Sequence, residues 1–113
     1  MITAILYRRD GAWTGFRASG HSGYAEEGSD IVCAAVSALG CTCVNSLESL
    51  LGVAVTMRGN GAGLLDFDLP DMPEEKRPGA QLLMGALKQG LSDIQDSYPE
   101  HVKLEIKGRR KER

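Results

Sequence analysis

The chain has 113 residues, of which 13 are basic and 15 acidic, so its net charge is −2 at neutral pH. This length predicts a single domain over residues 1–113 with a modest core, and the near balance of charge argues against a protein whose whole surface binds nucleic acid. No apolar run approaches the ~20 residues that span a membrane, and three cysteines indicate a reactive thiol in a reducing compartment rather than a disulfide framework.

The N-terminal segment is predicted to form a β-hairpin. Residues 2–9 are rich in β-branched and aromatic side chains, which favours a strand. Asp10-Gly11 is a strong hairpin-turn signal, and residues 13–19 form the returning strand. The N-terminal charges follow the apolar residues, which is the reverse of a secretory signal, so we expect a cytoplasmic protein.

A glycine-rich polar loop at residues 20–29 leads into a long apolar segment. Ser29 or Asp30 can cap a helix there, because either side chain accepts hydrogen bonds from the free N–H groups of a first turn. Cys33 then lies where those N–H groups and the positive end of the helix dipole favour an anion. With an imidazole nearby, a thiol in such a place has its pKa lowered from about 8.5 to roughly 3.5–7.5. His21 supplies that imidazole if the loop folds back, which gives a Cys–His nucleophile pair.

The same residues also permit a purely structural interpretation. A cysteine on an apolar helix is most often a small buried hydrophobic side chain, and a histidine among glycines is often only part of a turn. The spacing of His21 and Cys33 does not establish that they are close in space. Both interpretations therefore stay open on the pattern alone.

Residues 30–51 are predicted to form a central helix that is apolar nearly all round. Such a helix is buried on more than one side, so we expect the sheet to cover one side and a second helix or a partner chain the other. Ser37 lies one turn beyond Cys33 on the same face, where its hydroxyl bonds to a helix carbonyl or lies near the thiol. Cys41 and Cys43 diverge by roughly 80° to either side of Cys33. We therefore expect both to be small buried side chains, with no metal and no cofactor.

Two further strands are predicted over residues 53–58 and 64–69, with a turn at residues 59–61 between them. The second of these strands alternates strictly, which directs Asp66 and Asp68 away from the core. We interpret the two aspartates as part of a solvated sheet face. The alternative is that they face the site and attract a basic substrate.

The last part of the chain is predicted to form a helix and a final strand. The helix runs from about residue 79 to residue 97, with a leucine-rich packed face and a forward extension at residues 74–75. The strand covers residues 102–106, and His101 before it is interpreted as a surface residue. Residues 110–113 are expected to be a flexible basic tail. The element order ββαββαβ predicts an α+β domain with a mostly antiparallel sheet and a largely buried first helix.

The stretch GHSGYAEEGSDIVCAAVS at residues 20–37 closely resembles the bacterial ribosomal-processing cysteine proteases, the Prp family. The resemblance extends to the chain length, the element order and residues 44–48. It implies that Cys33 is the nucleophile and His21 the base. Further positions of the family motif match this sequence at Gly20, Gly28, Asp30 and Ser37. Ser22 departs from the pattern, since a small apolar residue is expected there, and Cys41 and Cys43 belong to no known part of the family mechanism.

The resemblance also implies an activity. The family removes a short N-terminal extension from ribosomal protein twenty-seven of the large subunit, cutting beside aromatic residues, and it forms homodimers. We therefore expect an endopeptidase with that substrate, with N–H groups at the start of the central helix as oxyanion donors. We also expect a homodimer through the second helix, a weak ribosome contact through the basic tail, and no membrane association.

Two other functions stay open. One is a non-catalytic ribosome-assembly or binding factor, and the other is a thiol-dependent acyl transferase or redox switch. Alkylation separates them, because a catalytic Cys33 should react near neutral pH much faster than the other two thiols.

Overall fold

The structure, a computed structural model, describes residues 1–26, 30–61 and 63–108. Within these ranges the elements follow the predicted order ββαββαβ. The strands are β1 (Ile2–Arg9), β2 (Ala12–Ser19), β3 (Thr56–Gly61), β4 (Leu64–Asp68) and β5 (Val102–Lys107), and the helices are α1 (Ile31–Leu51) and α2 (Arg77–Ser97). The expectations for Gly28, Ser29 and the basic tail at 110–113 lie outside the described residues.

The strands form one sheet in the order β3-β4-β2-β1-β5. The β1–β2, β2–β4 and β3–β4 pairs are antiparallel, whereas β5 runs parallel to β1. The predicted α+β class with a mostly antiparallel sheet is therefore confirmed. The parallel pair matters for the site, because it brings the turn between α2 and β5 next to the start of β1.

Both helices pack on one face of this sheet. The core joins inward-facing strand residues to one stripe of each helix, and its largest fully buried members include Leu6, Phe16, Phe67, Leu47, Met84 and Leu91. Each such side chain contributes roughly 1.5–3 kcal/mol when it is fully buried. Helix α1 crosses the sheet closely at Gly40, where an added Cβ would lie 2.5 Å from Cδ2 of Leu65.

Helix α1 is less buried than the sequence predicts. Only five of its 21 residues are buried, and they form a single stripe: Val32, Val36, Gly40, Cys43 and Leu47. On other sides, Ile31 and Leu50 are 56% and 71% exposed. The sheet covers one side of α1 and α2 packs along another, but α2 also contacts β2 and β5 and so lies beside α1 in the same layer, which leaves the outer side of α1 uncovered within one chain.

The apolar character of α1 has a second consequence. Within the described residues, this helix is long and apolar enough to cross a membrane by length and composition alone, with a mean hydropathy of 1.5. The sequence-based expectation that no apolar run approaches that length is therefore wrong. A helix that packs on a sheet inside a folded domain passes the same test, so the finding is weak evidence for a membrane span.

Strand β3 differs most from its predicted position. It begins at Thr56 and continues through residues 59–61, which were predicted to turn but instead pair with β4. Val53 is buried at the end of α1, where its N–H donates to Leu47 O at 2.9 Å, so this segment leaves the helix before pairing starts. An irregularity between Met57 and Gly59 lets the glycine-rich strand follow β4.

The two aspartates of β4 are not a simple solvated face. Asp66 is only 2% exposed, because β4 is an interior strand and Arg17 is its direct cross-strand neighbour. Asp68 is partly buried and its Oδ2 accepts a hydrogen bond from Arg58 Nε. Both lie on the sheet face opposite the helices, so the alternative role in attracting substrate to the site receives no support from their position.

Helix α2 begins at Arg77, two residues before its predicted start, and ends at Ser97 as predicted. A 3-10 turn at Glu74–Lys76 provides the predicted forward extension. Leu87 and Leu91 are buried as predicted. Helix α2 therefore completes the layer over β1, β2 and β5.

Candidate active site

Asp30 caps the first turn of α1. Its Oδ1 accepts hydrogen bonds from the N–H groups of Val32 and Cys33, both at 3.0 Å. A hydrogen bond from the Ser22 hydroxyl, together with those from the backbone, lowers the pKa of Asp30 from 3.8 to about 2, although burial acts in the opposite direction. The predicted capping role is confirmed, and Asp30 is a carboxylate at neutral pH.

Ser22 connects the loop to the start of α1. The side chain is only 2% exposed, and its hydroxyl donates to Oδ2 of Asp30. The Ser22 hydroxyl oxygen also accepts a hydrogen bond from Tyr24 N–H at 3.1 Å. The backbone N–H of Ser22 donates to Cys33 Sγ at 3.3 Å. A polar residue fits in place of the expected apolar one because each of its polar groups has a partner.

Cys33 is half-buried near the start of α1. The sequence analysis expected free N–H groups of the first turn around its thiol, and the structure differs from this. The N–H groups of Val32 and Cys33 are bonded to the Asp30 side chain, and Ala34 N–H donates to Asp30 O at 3.1 Å. These three N–H groups, which the sequence predicts as oxyanion donors, are therefore bonded to Asp30 in this structure. The donor that does reach Sγ is Ser22 N–H, which comes from the loop.

The residue before His21 is fixed by two neighbouring segments. Gly20 N–H donates to Gly63 O at 3.0 Å, which ties it to the β3–β4 turn. An added Cβ at Gly20 would lie 2.6 Å from Met1 O, and its φ of +95° is unfavourable for other residues. His21 itself is exposed, and its Nε2 would lie 3.1 Å from a Cβ built on Gly63. The imidazole therefore lies against the β3–β4 turn.

His21 and Cys33 line the same cavity, which has a volume of about 600 Å³. One wall is the face of α1 that carries Cys33 and Ser37, and another is the β3–β4 hairpin with Asn60 and Leu64. The lining is mostly apolar, and its polar members include His21, Asp30, Ser37 and Asn60. This is the usual composition of a pocket that binds an organic ligand and orients it with a few polar groups.

Comparison with known proteins identifies the family. The family model described as "Cysteine protease Prp" matches residues 1–103. The chain belongs to this family. It is 32% identical over 107 residues to the ribosomal processing cysteine protease Prp of Bacillus subtilis, covering 92% of this chain and 96% of the relative. The chain is therefore a cysteine protease, which is a hydrolase.

Solved structures of similar proteins share the Prp fold. The SMU.848 protein of Streptococcus mutans superimposes with a TM-score of 0.83 at 34% identity, covering 96% of each chain. The ribosomal processing protease Prp of Staphylococcus aureus, in complex with a covalently linked product peptide, gives a TM-score of 0.84 at 28% identity over 94% of this chain and 99% of that one. The same Staphylococcus protease in complex with a substrate peptide gives 0.76 at 27% identity, with the same coverage.

Several other residues lie near the predicted site of this Prp-family chain. Ser37 is exposed and lines the cavity, which favours the interpretation that its hydroxyl lies near the thiol. Cys41 is also exposed and lines the cavity, so its predicted burial is wrong, whereas Cys43 is 5% exposed as predicted. Burial raises the pKa of Cys43 to about 11. In the described part of the chain, no group of three or more His, Cys, Asp or Glu side chains is arranged to hold a metal ion.

His101 was missed by the sequence analysis, which interpreted it as a surface residue. It is half-buried, and its Nδ1 lies 2.8 Å from the carbonyl oxygen of Ser22. Tyr24 packs edge to face against both His101 and Tyr98, with ring centroids 5.4 Å apart in each pair. No local sequence signal could have found this contact, because it depends on the parallel pairing of β5 with β1.

Proposed function

We propose that this chain is a cysteine endopeptidase that removes the N-terminal extension of large-subunit ribosomal protein twenty-seven during ribosome maturation. Cys33 is the nucleophile and His21 the base of the dyad, with Gly20, Asp30 and Ser37 as supporting residues. The observation that carries this proposal is that His21 and Cys33 line one cavity in a chain of the Prp family. The Staphylococcus relative, which carries a covalently linked product peptide in its crystal structure, supports a peptide substrate.

The proposed reaction has two stages. His21 accepts the proton of the Cys33 thiol, and the thiolate attacks the carbonyl carbon of the scissile peptide. The C–N bond then breaks as the imidazolium returns the proton to the leaving amine, which leaves a thioester on Cys33. Water, deprotonated by His21, attacks the thioester, and the acid product leaves as the thiol is restored.

The loop is proposed to supply a hydrogen-bond donor to the Cys33 thiolate before it attacks. Ser22 N–H already bonds to Sγ at 3.3 Å, whereas the N–H groups of residues 32–34 are bonded to Asp30. The imidazolium of His21 supplies the positive charge that completes the thiolate–imidazolium pair.

We propose that the imidazole of His21 swings from the β3–β4 turn toward Sγ when a peptide enters the cavity. His21 is exposed, so other rotamers are open to its side chain while the backbone at Gly20 stays in place. Assembly of the dyad only on a bound peptide would favour cleavage of the correct sequence. The apolar walls suit the aromatic residues that the family cleaves beside.

We propose that the chain is cytoplasmic, forms a homodimer and makes a weak contact with the ribosome. Leu82 on α2 is 74% exposed, which supports α2 as part of the dimer surface. Light scattering of the purified chain tests the dimer, and Leu82→Lys should shift it toward monomer. A wild-type chain that scatters as a monomer at micromolar concentration would contradict this part of the proposal.

The central experiment is incubation with the extended ribosomal protein, followed by intact-mass analysis. We expect the wild type to remove the extension, and we expect Cys33→Ala and His21→Ala to lose cleavage by several orders of magnitude. Glu48→Ala, an exposed change near the far end of α1, is the matched control and should cleave normally. If Cys33→Ala trims the substrate as fast as wild type, Cys33 is not the nucleophile and the proposal is wrong. If the wild type leaves the extension intact, the non-catalytic ribosome-binding function takes its place.

A further inference from the structure

We propose that His101 is a positioning residue for this active site. By holding the carbonyl of Ser22, it keeps the Ser22 N–H directed at Cys33 Sγ and so sets the reactivity of the thiol. The inference rests on the proposed function, in which Cys33 is the nucleophile. His101 belongs to the turn between α2 and β5 and lies outside the motif at residues 20–37.

The backbone of His101 is rigidly placed. Its carbonyl accepts from Ile2 N–H at 2.9 Å, which joins it to the first residue of β1. Its own N–H donates to Tyr98 O at 2.9 Å, at the end of α2. Because this backbone is anchored, the His101 side chain can hold the neighbouring loop in one position.

The side-chain bond defines the proton position. A carbonyl oxygen only accepts hydrogen bonds, so Nδ1 of His101 must carry a hydrogen where it lies 2.8 Å from Ser22 O. Both the neutral Nδ1–H tautomer and the imidazolium satisfy this requirement. The bond therefore persists whether the ring is charged or neutral.

Ser22 lies between a glycine that is held by its neighbours and one that is not packed. Gly20 is bonded to the β3–β4 turn, whereas Gly23 has a φ of +70° and nothing lies within 4 Å of a Cβ added there. Two bonds tie Ser22 to the start of α1, through Asp30 and Cys33, and the bond from His101 ties it to the sheet. The edge-to-face contact of Tyr24 with the His101 ring adds a second attachment on the same side.

This arrangement makes a specific prediction about donor position. Nδ2 of asparagine occupies the place of histidine Nδ1, counted in bonds from Cα, whereas the amide nitrogen of glutamine reaches one bond further. His101→Asn should therefore preserve the bond to Ser22 O, and His101→Gln and His101→Leu should lose it. A role in folding alone would not separate Asn from Gln in this way.

The experiment measures the alkylation rate of Cys33 by iodoacetamide without substrate, between pH 5 and 10, by peptide mass analysis. We expect Cys33 to react about five- to tenfold more slowly near neutral pH in His101→Leu and His101→Gln than in wild type. The midpoint of the pH profile of its alkylation rate should also rise in these two variants. His101→Asn should stay within about twofold of wild type. Asp30, His21 and Cys41 also line this cavity and are present in every variant. Cys41 labelling should be unchanged and serves as the internal reference.

Peptide cleavage supplies the second readout, in which kcat should fall more than KM changes for His101→Leu. Glu100→Ala, the exposed neighbouring residue, is the matched control and should match wild type in both assays. If His101→Leu folds with a lower Tm, the comparison of Cys33 alkylation in His101→Asn and His101→Gln still tests whether the bond to Ser22 O matters. Equal Cys33 alkylation rates and pH midpoints in wild type, His101→Leu and His101→Gln would overturn the inference about His101. The proposed function would still stand in that case if Cys33→Ala lost cleavage. Normal cleavage by Cys33→Ala would overturn both.

Discussion

The hydroxyl of Ser22 donates a hydrogen bond to Oδ2 of Asp30, while Oδ1 of the same carboxylate caps α1. One carboxylate therefore joins the loop to the first turn of the helix that carries Cys33. The relationship holds Ser22 against the start of α1, whereas the sequence analysis expected the loop to bring His21 to that position. It also makes the ionisation of Asp30 a condition for the geometry of the site.

The first prediction concerns acid stability. The pKa of Asp30 is lowered in the folded state, from 3.8 to about 2, so the ionised form favours folding. Its contribution is fully present above about pH 4 and is lost as the pH falls from about 4 to about 2. Chemical denaturation should therefore show that the difference in stability between wild type and Asp30→Asn is larger at pH 6 than at pH 2.5. A constant difference across that range would contradict the assignment.

The second prediction concerns Ser22, which departs from the family pattern. Ser22→Ala removes the largest single cause of the lowered pKa of Asp30 but introduces the small apolar type expected there. The variant should fold, and the Asp30 pKa should rise toward its ordinary value, as measured by carbon NMR of the carboxyl group. Alkylation of Cys33 should slow only modestly, because the backbone N–H that reaches Sγ remains. An unchanged pKa would show that the backbone bonds alone fix the carboxylate.

The third prediction ranks the three thiols. Cys33 should react with iodoacetamide fastest near neutral pH even without peptide, because the Ser22 N–H already bonds to its sulfur. Exposed Cys41 should react at the rate of an ordinary thiol. Cys43, which is buried with its pKa raised to about 11, should be labelled only in denaturant. Mass analysis of each peptide over time measures the order. Cys41 reacting faster than Cys33 would contradict the proposed nucleophile.

The same thiols argue against a redox switch. Positions 33 and 41 are eight residues apart on one helix, which separates them by about 12 Å along its axis. A disulfide needs Cα atoms within about 7 Å. Non-reducing mass analysis after mild oxidation should therefore find no bond between Cys33 and Cys41.

Local sequence signals predicted the parts of the fold that depend on neighbouring residues. Three features depend only on residues a few positions apart, and the structure contains all of them: the Asp10-Gly11 turn, the alternation of β4 and the cap at Asp30. The bond between His101 and Ser22 spans 79 positions and follows from the β1–β5 pairing, which no local pattern encodes. It was therefore missed.

The burial errors have a related cause. The helical angle correctly sent Cys41 and Cys43 to different sides of α1, but which side is covered depends on where α2 packs. Asp66 alternates outward as predicted, yet it is buried because of neighbours on the adjoining strands rather than because of its own strand. Periodicity therefore predicts which way a side chain points. Whether that side chain is buried depends on which distant elements pack against it.

The last prediction links core packing to the cavity. An added Cβ at Gly40 would lie 2.5 Å from Cδ2 of Leu65 and 3.4 Å from Cε2 of Phe16, and Leu65 also lines the cavity. Gly40→Ala should therefore displace the Leu65 side chain, and the overpacking cost of about 1–3 kcal/mol should exceed the gain of up to about 1 kcal/mol that alanine brings to a helix. Denaturant unfolding measures the loss, and peptide cleavage should fall with it because Cys33 is carried by the same helix.

Gly85→Ala is the matched control for this change. Gly85 lies in α2, and nothing stands within 4 Å of an added Cβ there. The substitution should stabilise the chain by up to about 1 kcal/mol, because alanine favours a helix over glycine. Cleavage by this variant should equal that of wild type. If Gly40→Ala proved as stable as Gly85→Ala, the close crossing of α1 over β4 could not be what fixes the depth of the cavity.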